Sequence, residues 1–148
     1  MTALLDALES AVGSGGLATG EAAAEQAFTP WARLGKPMAI VRPRSTQEVA
    51  RVLKAAHAAG AAVVPWGGRT GLVEGAAADG AIALSLERMN AVEAIDSTGS
   101  TMTVQAGCVL QTACEAAEAG GLFLPLDLGA RGSATIGGNI STNAGGNR

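Results

Sequence analysis

The segment from residue 38 to 65 restricts the fold most: an apolar run, a capped amphipathic helix, and a second apolar run. "MAIVRP" reads as a short strand closed by Pro43. In "STQEVARVLKAAHAAG", Ser45 and Glu48 have the spacing of a capping box, in which each side chain satisfies an orphan amide of the first turn. Val49, Val52, Leu53 and Ala56 form an apolar stripe, and Gly60 is the C-terminal stop. "AAVVP" is then a second buried strand. Strand, helix and strand in this order make a βαβ unit, with the strands parallel and the crossover right-handed.

Around this unit the pattern is mixed. Residues 3–12 read as a short helix, 13–16 as a glycine-rich turn, and 17–36, with "FTPWARLGKP", as irregular. After a glycine loop at 66–75, "AIALSL" alternates as a strand, and "AVEAI" and "TMTVQ" flank the turn composition "DSTGS" as a hairpin. "VLQTACEAAEAG" is a second helix ended by Gly120, and the last 24 residues are loop with one short helix. Helices with mixed strands predict an α+β domain. A lead-in over 1–33 precedes the regular pattern at 34–148.

A chain of 148 residues is the size of one domain and can bury a core. Its charged fraction of 16% is below the ~25% typical of soluble domains, which reads as a well-buried globular chain or as one whose apolar face a partner domain would cover. The net charge of −3 with scattered arginines lacks the basic footprint of a nucleic-acid binder. No apolar run approaches the roughly 18 residues of a membrane span. Asp6 and Glu9 stand where a signal peptide would be basic and then apolar. A cytoplasmic protein is expected, with peripheral membrane association left open. Cys108 and Cys114, six apart and with His57 as the only histidine, have no metal-site spacing. Cys114 falls on the stripe Leu110, Ala113, Cys114, Ala117 and reads as a buried structural thiol.

Two glycine loops carry the functional signal. "PWGGRTGLVEG" places Gly67, Gly68, Gly71 and Gly75 directly after a buried strand. Glycine admits positive φ, and without a Cβ it lets successive amides converge on an anion, to which Thr70 adds a hydroxyl. A Walker loop is excluded because no lysine follows Lys54, and the Rossmann G-x-G-x-x-G is missing. The second loop, "GSATIGGNISTNAGGNR", closes a stretch in which six of twenty residues are glycine. "TIGGNIST" starts a short helix near Thr135, whose N-terminus is offered to an anion. Ser133, Asn139, Thr142 and Asn143 add polar side chains. Two such loops suit a long ligand, with phosphates at one and a ring system or sugar at the other.

"VVPWGGRTGLVEG" together with "FLPLDLGARGSATIGGNISTNAGGNR" resembles the flavin domain of the FAD-linked oxidases, the PCMH-type (vanillyl-alcohol-oxidase-like) superfamily. Among its branches the chain looks most like the D-2-hydroxyacid dehydrogenases, such as those of D-lactate, glycolate and D-2-hydroxyglutarate. "VRPRSTQEVARVL" and "LSLERMNAVEAID" are similar too, so the resemblance covers about 34–148. It implies FAD, with Pro65, Gly67, Gly68, Arg69, Thr70, Gly71, Leu72 and Gly75 around the pyrophosphate. Pro125, Leu126, Gly132, Ser133, Gly137, Gly138, Asn139, Thr142 and Asn143 would line the ribityl chain and the ring. Gly145 and Gly146 would approach the cofactor as close backbone.

The departures from the family pattern refine these expectations. Arg69 stands where covalently flavinylated relatives carry histidine, so the flavin is expected to be noncovalent. Glu74, an acid beside a phosphate cradle, is expected to face solvent. Trp66 replaces a usually polar residue, and His57 reads as an exposed helix residue. Asp127, the one carboxylate near the second loop, reads as a turn or cap residue. No catalytic residue is expected in the chain, because the resemblance places substrate and acid–base groups in a later domain. The chain is therefore expected to be the N-terminal portion of a flavin domain, and to bind FAD weakly on its own. The activity implied is oxidation of a D-2-hydroxy acid to a 2-oxo acid, with electrons passed to a quinone, flavoprotein or cytochrome. The alternatives are a free-standing nucleotide-binding module and a reductase of the same superfamily acting on a cell-wall nucleotide sugar.

Overall fold

The computed structural model describes residues 2–146. Two compact units emerge among them, residues 2–66 with 71–88, and residues 67–70 with 89–146.

The first unit is built on a four-stranded sheet of order β1-β4-β6-β5, comprising β1 (Leu17–Thr19), β4 (Ala39–Val41), β5 (Val63–Trp66) and β6 (Ile82–Ser85). β4 and β5 both run parallel to β6, and β1 closes the other edge antiparallel to β4. The parallel relation expected of the βαβ unit holds, but β6 lies between its two strands. Period-two alternation sends neighbouring side chains to opposite faces. Ala39, Val41, Ile82 and Leu84 join one core with Leu8, Ala11, Val12, Val52 and Ala56. The helical members of this core come from α1 (Thr2–Val12) and α3 (Thr46–Ala58). Ile40, Ala81, Ala83 and Trp66 join the other, with Ala23, Ala27 and Leu34. Burial on both faces explains why every residue of β6 is buried although the sequence suggests alternation. Pro65 is tolerated because β5 is the last strand of the sheet, where a missing N–H breaks no ladder.

Residues 17–36 are not irregular. They hold β1, α2 (Gly20–Gln26) and a ribbon of β2 (Phe28–Thr29) and β3 (Ala32–Arg33). Elements of two to seven residues carry too little periodicity to be read from sequence, and pairing partners such as Val41 for Leu17 define them. The capping box of α3 is half as expected. Ser45 Oγ accepts from Glu48 N at 3.2 Å, but Glu48 Oε2 accepts from the amide of Arg44, not of Ser45. Gly60 ends the helix with φ +62°. Leu53 is 44% exposed, since it is rotated by about 100° from Val52 and leaves the inward line through Val52 and Ala56.

The second unit holds the expected hairpin, β7 (Val92–Asp96) against β8 (Thr101–Val104), with a register shift between Val92 and Ala94. Asp96 Oδ1 accepts from the amides of Thr98 and Gly99 to close its turn. α4 (Leu110–Ala119) buries the predicted stripe Leu110, Ala113, Cys114 and Ala117, and α5 (Ile136–Ser141) begins after Thr135.

Leu8 is fully buried among the α1–α3 residues over the sheet, so Leu8→Ala should cost about 2–4 kcal/mol, read as a lower denaturant midpoint at unchanged slope. Burial raises the Cys108 thiol above its ordinary 9.0. The folded state then holds this proton more tightly than the unfolded one, so its stabilisation is complete below that value and fades as pH rises through the folded pKa. Unfolding midpoints measured from about pH 7 to about pH 10.5 should show this alkaline decline, and Cys108→Ala should flatten it.

Candidate functional site

The second glycine loop is laced to α4 through its backbone. Val109 gives α4 no side-chain cap. Instead the orphan amides of Leu110 and Gln111 donate to the carbonyls of Ala134 and Arg131, at 2.8 and 3.0 Å. Within the loop, the amides of Ser133 and Ala134 both donate to Ala130 O at 2.8 Å. Thr135 forms an antiparallel bridge with Val109.

This lacing changes the reading of α5. The amide of Ile136 donates to Cys108 O, that of Gly137 to Ala106 O, and that of Gly138 to Thr135 Oγ1, the last long at 3.4 Å. The first-turn donors are therefore spent on the chain itself. The expectation that this N-terminus is offered to an anion is corrected: an anion there would have to displace bonds the fold already makes.

The first loop shows the opposite state. Among the described residues, the amides of Gly67, Gly68 and Thr70 have no acceptor in the protein. All three residues are half-buried. Neighbouring half-buried donors without a partner leave a deficit that an anion can satisfy.

The glycines also divide by what crowds them. A Cβ on Gly68 would lie 1.9 Å from Ser133 O, and one on Gly67 would lie 2.5 Å from Thr135 Oγ1. A Cβ on Gly137 would meet Ala106 at 2.8 Å, and one on Gly146 would meet Asp127 O at 2.0 Å. These four glycines are required by packing of the chain on itself. The structure thus brings Gly67 and Gly68 directly against Ser133, Thr135 and Gly138. It gives Gly146 a protein partner where the resemblance implies a ligand. Gly71, Gly75, Gly132 and Gly145 have nothing among the described residues within 4 Å of where a methyl would sit, so no contact seen there explains them.

Positive φ falls elsewhere than predicted. None of the four glycines of the first loop adopts it, whereas Arg69 and Glu74 do, each at φ 54°, and Asn143 of the second loop does at 49°. For a non-glycine residue other than Asn or Asp this conformation costs about 1–2 kcal/mol. Strained residues of this kind gather at ligand sites.

The remaining candidates stand as follows. Pro65, Gly71, Leu72 and Gly75 are exposed in the first unit, Leu72 at 81%. Glu74 is exposed, as expected, and so is His57. Trp66 is a core residue, 2% exposed, with Nε1 donating to Ala76 O at 2.7 Å, which explains an aromatic ring at a usually polar position. In the second unit, Leu126, Gly137 and Gly138 are half-buried, whereas Pro125, Gly132, Ser133, Thr142, Asn143 and Gly145 are exposed. Asn139 is buried, and its Nδ2 has no partner among the described residues. Asp127 faces Arg131 at 3.9 Å, a partly exposed pair at long distance, and it lies outside any turn or helix rather than in the expected turn or cap. Asn147 and Arg148, the end of the second motif, lie outside the described residues. In the sequence Thr135 is marked only as a helix start. A threonine ahead of two glycines signals a cap, and nothing in that local pattern points to Gly67.

The model of a protein family described as FAD binding domain matches residues 37–148. The chain is 47% identical over 144 residues to a D-2-hydroxyglutarate dehydrogenase of Xanthomonas citri pv. viticola, covering 95% of this chain and 30% of that protein. It is 45% identical over 115 residues to a mitochondrial D-2-hydroxyglutarate dehydrogenase of Bos taurus, covering 77% of this chain and 21% of that protein. The chain thus spans about a third or less of the length of these relatives. Its fold matches a solved structure of alkyldihydroxyacetonephosphate synthase with a TM-score of 0.85 at 22% identity, over 99% of this chain and 32% of the other.

Crowding at Gly68 and space at Gly132 generate opposite outcomes. Gly68→Ala should lower stability by at least about 2 kcal/mol, because backbone must move to admit the methyl. Gly132→Ala should leave stability within about 0.5 kcal/mol of wild type. Thermal and denaturant unfolding of the two variants decides between packing and open glycines.

Proposed function

Because this chain belongs to the FAD binding domain family, matched over residues 37–148, we propose that it is the cofactor-holding part of a flavoprotein dehydrogenase acting on a D-2-hydroxy acid. The observation that carries the reading is the set of uncommitted amides at Gly67, Gly68 and Thr70, held close to Ser133 and Thr135 by glycines that admit no side chain. The residues fit the cofactor: half-buried amides suit a diphosphate, and the open glycines leave surface against which a flat ring or sugar can lie.

FAD, when bound, supplies the two-electron chemistry that accepts a hydride from the α-carbon of the hydroxy acid. The protein's part is to bind and to orient. In this reading Gly67, Gly68 and Thr70 donate to the pyrophosphate, and Arg69 adds a cation at the same loop. Gly71, Leu72 and Gly75 continue that loop. Pro125, Leu126, Gly132, Ser133, Thr142, Asn143 and Gly145 are the exposed or half-buried surface proposed for the ribityl chain and ring. Arginine at residue 69 has no nucleophile for the flavin methyl group, so attachment is noncovalent.

D-2-hydroxyglutarate is the first substrate to test, since the similar proteins of Xanthomonas citri and Bos taurus carry that name. The product would be the 2-oxo acid, and a quinone, an electron-transfer flavoprotein or a cytochrome would take the electrons onward. We place the protein in a compartment that keeps thiols reduced, the cytoplasm in our reading, because both described cysteines are free and buried. Among the described residues, no helix is long and apolar enough to cross a membrane.

The protein at its natural length should purify with a flavin that acid precipitation releases into the supernatant. Anaerobic addition of D-2-hydroxyglutarate should bleach its visible absorbance, faster than the L-enantiomer, D-lactate or glycolate does. Flavin retained in the pellet would refute noncovalent binding. Absence of bleaching by any D-2-hydroxy acid would refute the substrate class.

A further inference from the structure

Thr135 stands where three parts of the second unit meet. It is 6% exposed. Its backbone bridges Val109 ahead of α4, its carbonyl takes the amide of Asn139 at 2.9 Å, and its Oγ1 receives the amide of Gly138. The same oxygen lies 2.5 Å from the position a Cβ on Gly67 would take, and the next nearest atoms there, Gly138 Cα and N, are at 3.6 and 3.8 Å. One hydroxyl therefore fixes both the start of α5 and the approach of the first glycine loop.

We propose that Thr135 is a positioning residue that locks the two glycine loops together, so that the amides of Gly67 and Gly68 meet a phosphate in one fixed arrangement. The proposal rests on the reading that these amides receive a phosphate of FAD. A plain helix cap would explain the bond to Gly138, and it would predict a loss of stability alone. It would not explain why the cap oxygen is the one atom that crowds residue 67. Locking makes a different claim: the hydroxyl and the missing side chain at residue 67 are energetically coupled, and the coupling is felt in FAD affinity. Holding donors in place before the ligand arrives lowers the ordering cost of binding.

The test measures FAD binding to the apoprotein at its natural length, by quenching of flavin fluorescence, beside the unfolding midpoint of each apoprotein. Thr135→Ser keeps the oxygen and should bind within about threefold of wild type. Thr135→Val keeps the shape and loses the acceptor; it should bind FAD at least about tenfold more weakly while its far-ultraviolet circular dichroism is unchanged. Gly67→Ala should weaken binding in the wild-type and Thr135→Ser backgrounds, which keep the crowding oxygen. It should weaken binding much less in a Thr135→Ala background, where that atom is gone. Should Thr135→Val fail to fold, this cycle decides, read in both FAD affinity and unfolding midpoint. Wild-type affinity in Thr135→Val, or an equal cost of Gly67→Ala in both backgrounds, would overturn the proposal. A wild-type protein that binds no FAD at all would instead overturn the functional reading on which it rests.

Discussion

The constraint on which the candidate site depends is a contact between two stretches of backbone. Ser133 O occupies the space where a Cβ on residue 68 would be, and Thr135 Oγ1 occupies the corresponding space at residue 67. A side chain at either position would push the loops apart. Close approach has a consequence for hydrogen bonding as well. The backbone amides of Ser133, Ala134, Ile136 and Gly137 in the second loop are all bonded, within the loop or to residues just ahead of α4, so this stretch forms a braced wall. Gly67 and Gly68, of the same unit, lie against that wall with amides to spare. Rigidity on one side and unmet demand on the other are what a preorganised anion site requires.

The first unit contributes differently. Its sheet is buried on both faces, by α1 and α3 on one side and by Trp66, Leu34 and alanines on the other. Alternation along β4, β5 and β6 sends successive residues into the two cores, so a one-residue slip would exchange them. β5 delivers the chain to Gly67 at the end of a strand whose register is fixed in this way. The buried indole of Trp66, bonded to Ala76 O, holds the last residue before the first loop. The many alanines on the second face let backbone layers approach closely, which suits a chain with two tryptophans, two phenylalanines and no tyrosine.

Much of this was legible in the sequence where periodicity was long. The α3 stripe, its cap at Ser45, the 96–100 turn and the buried face of α4 all follow from local pattern. The two glycine motifs contain the residues that the structure brings together, Gly67 and Gly68 against Ser133 and Thr135. Three things could not be read. Among the short elements between residues 17 and 33, β1 is defined by a partner more than twenty residues away, and β2 and β3, two residues each, are too short to show a period. The left-handed residue of a glycine-rich loop was not a glycine: Arg69 and Glu74 take that conformation while Gly67 and Gly68 are kept for close approach. Sequence counts glycines but does not distinguish these two uses. Lastly, a helix N-terminus at Thr135 was visible, but the acceptors Cys108 O and Ala106 O that consume its donors lie well upstream, before α4.

The distinction between spent and unspent donors also bears on charge. With a net charge of −3, the chain offers a diphosphate no favourable long-range field. In the proposed reading this chain's contribution comes from groups close to the phosphates, and dipoles are well suited to that. An amide fixed by surrounding backbone needs no reorganisation when an anion arrives, whereas a flexible lysine would lose side-chain entropy for the same contact. The first loop contains no lysine and one arginine, held at φ 54°. In the proposed reading, backbone geometry rather than side-chain charge meets the phosphates, while close packing of the chain on itself already accounts for the absence of bulk at Gly67, Gly68, Gly137 and Gly146.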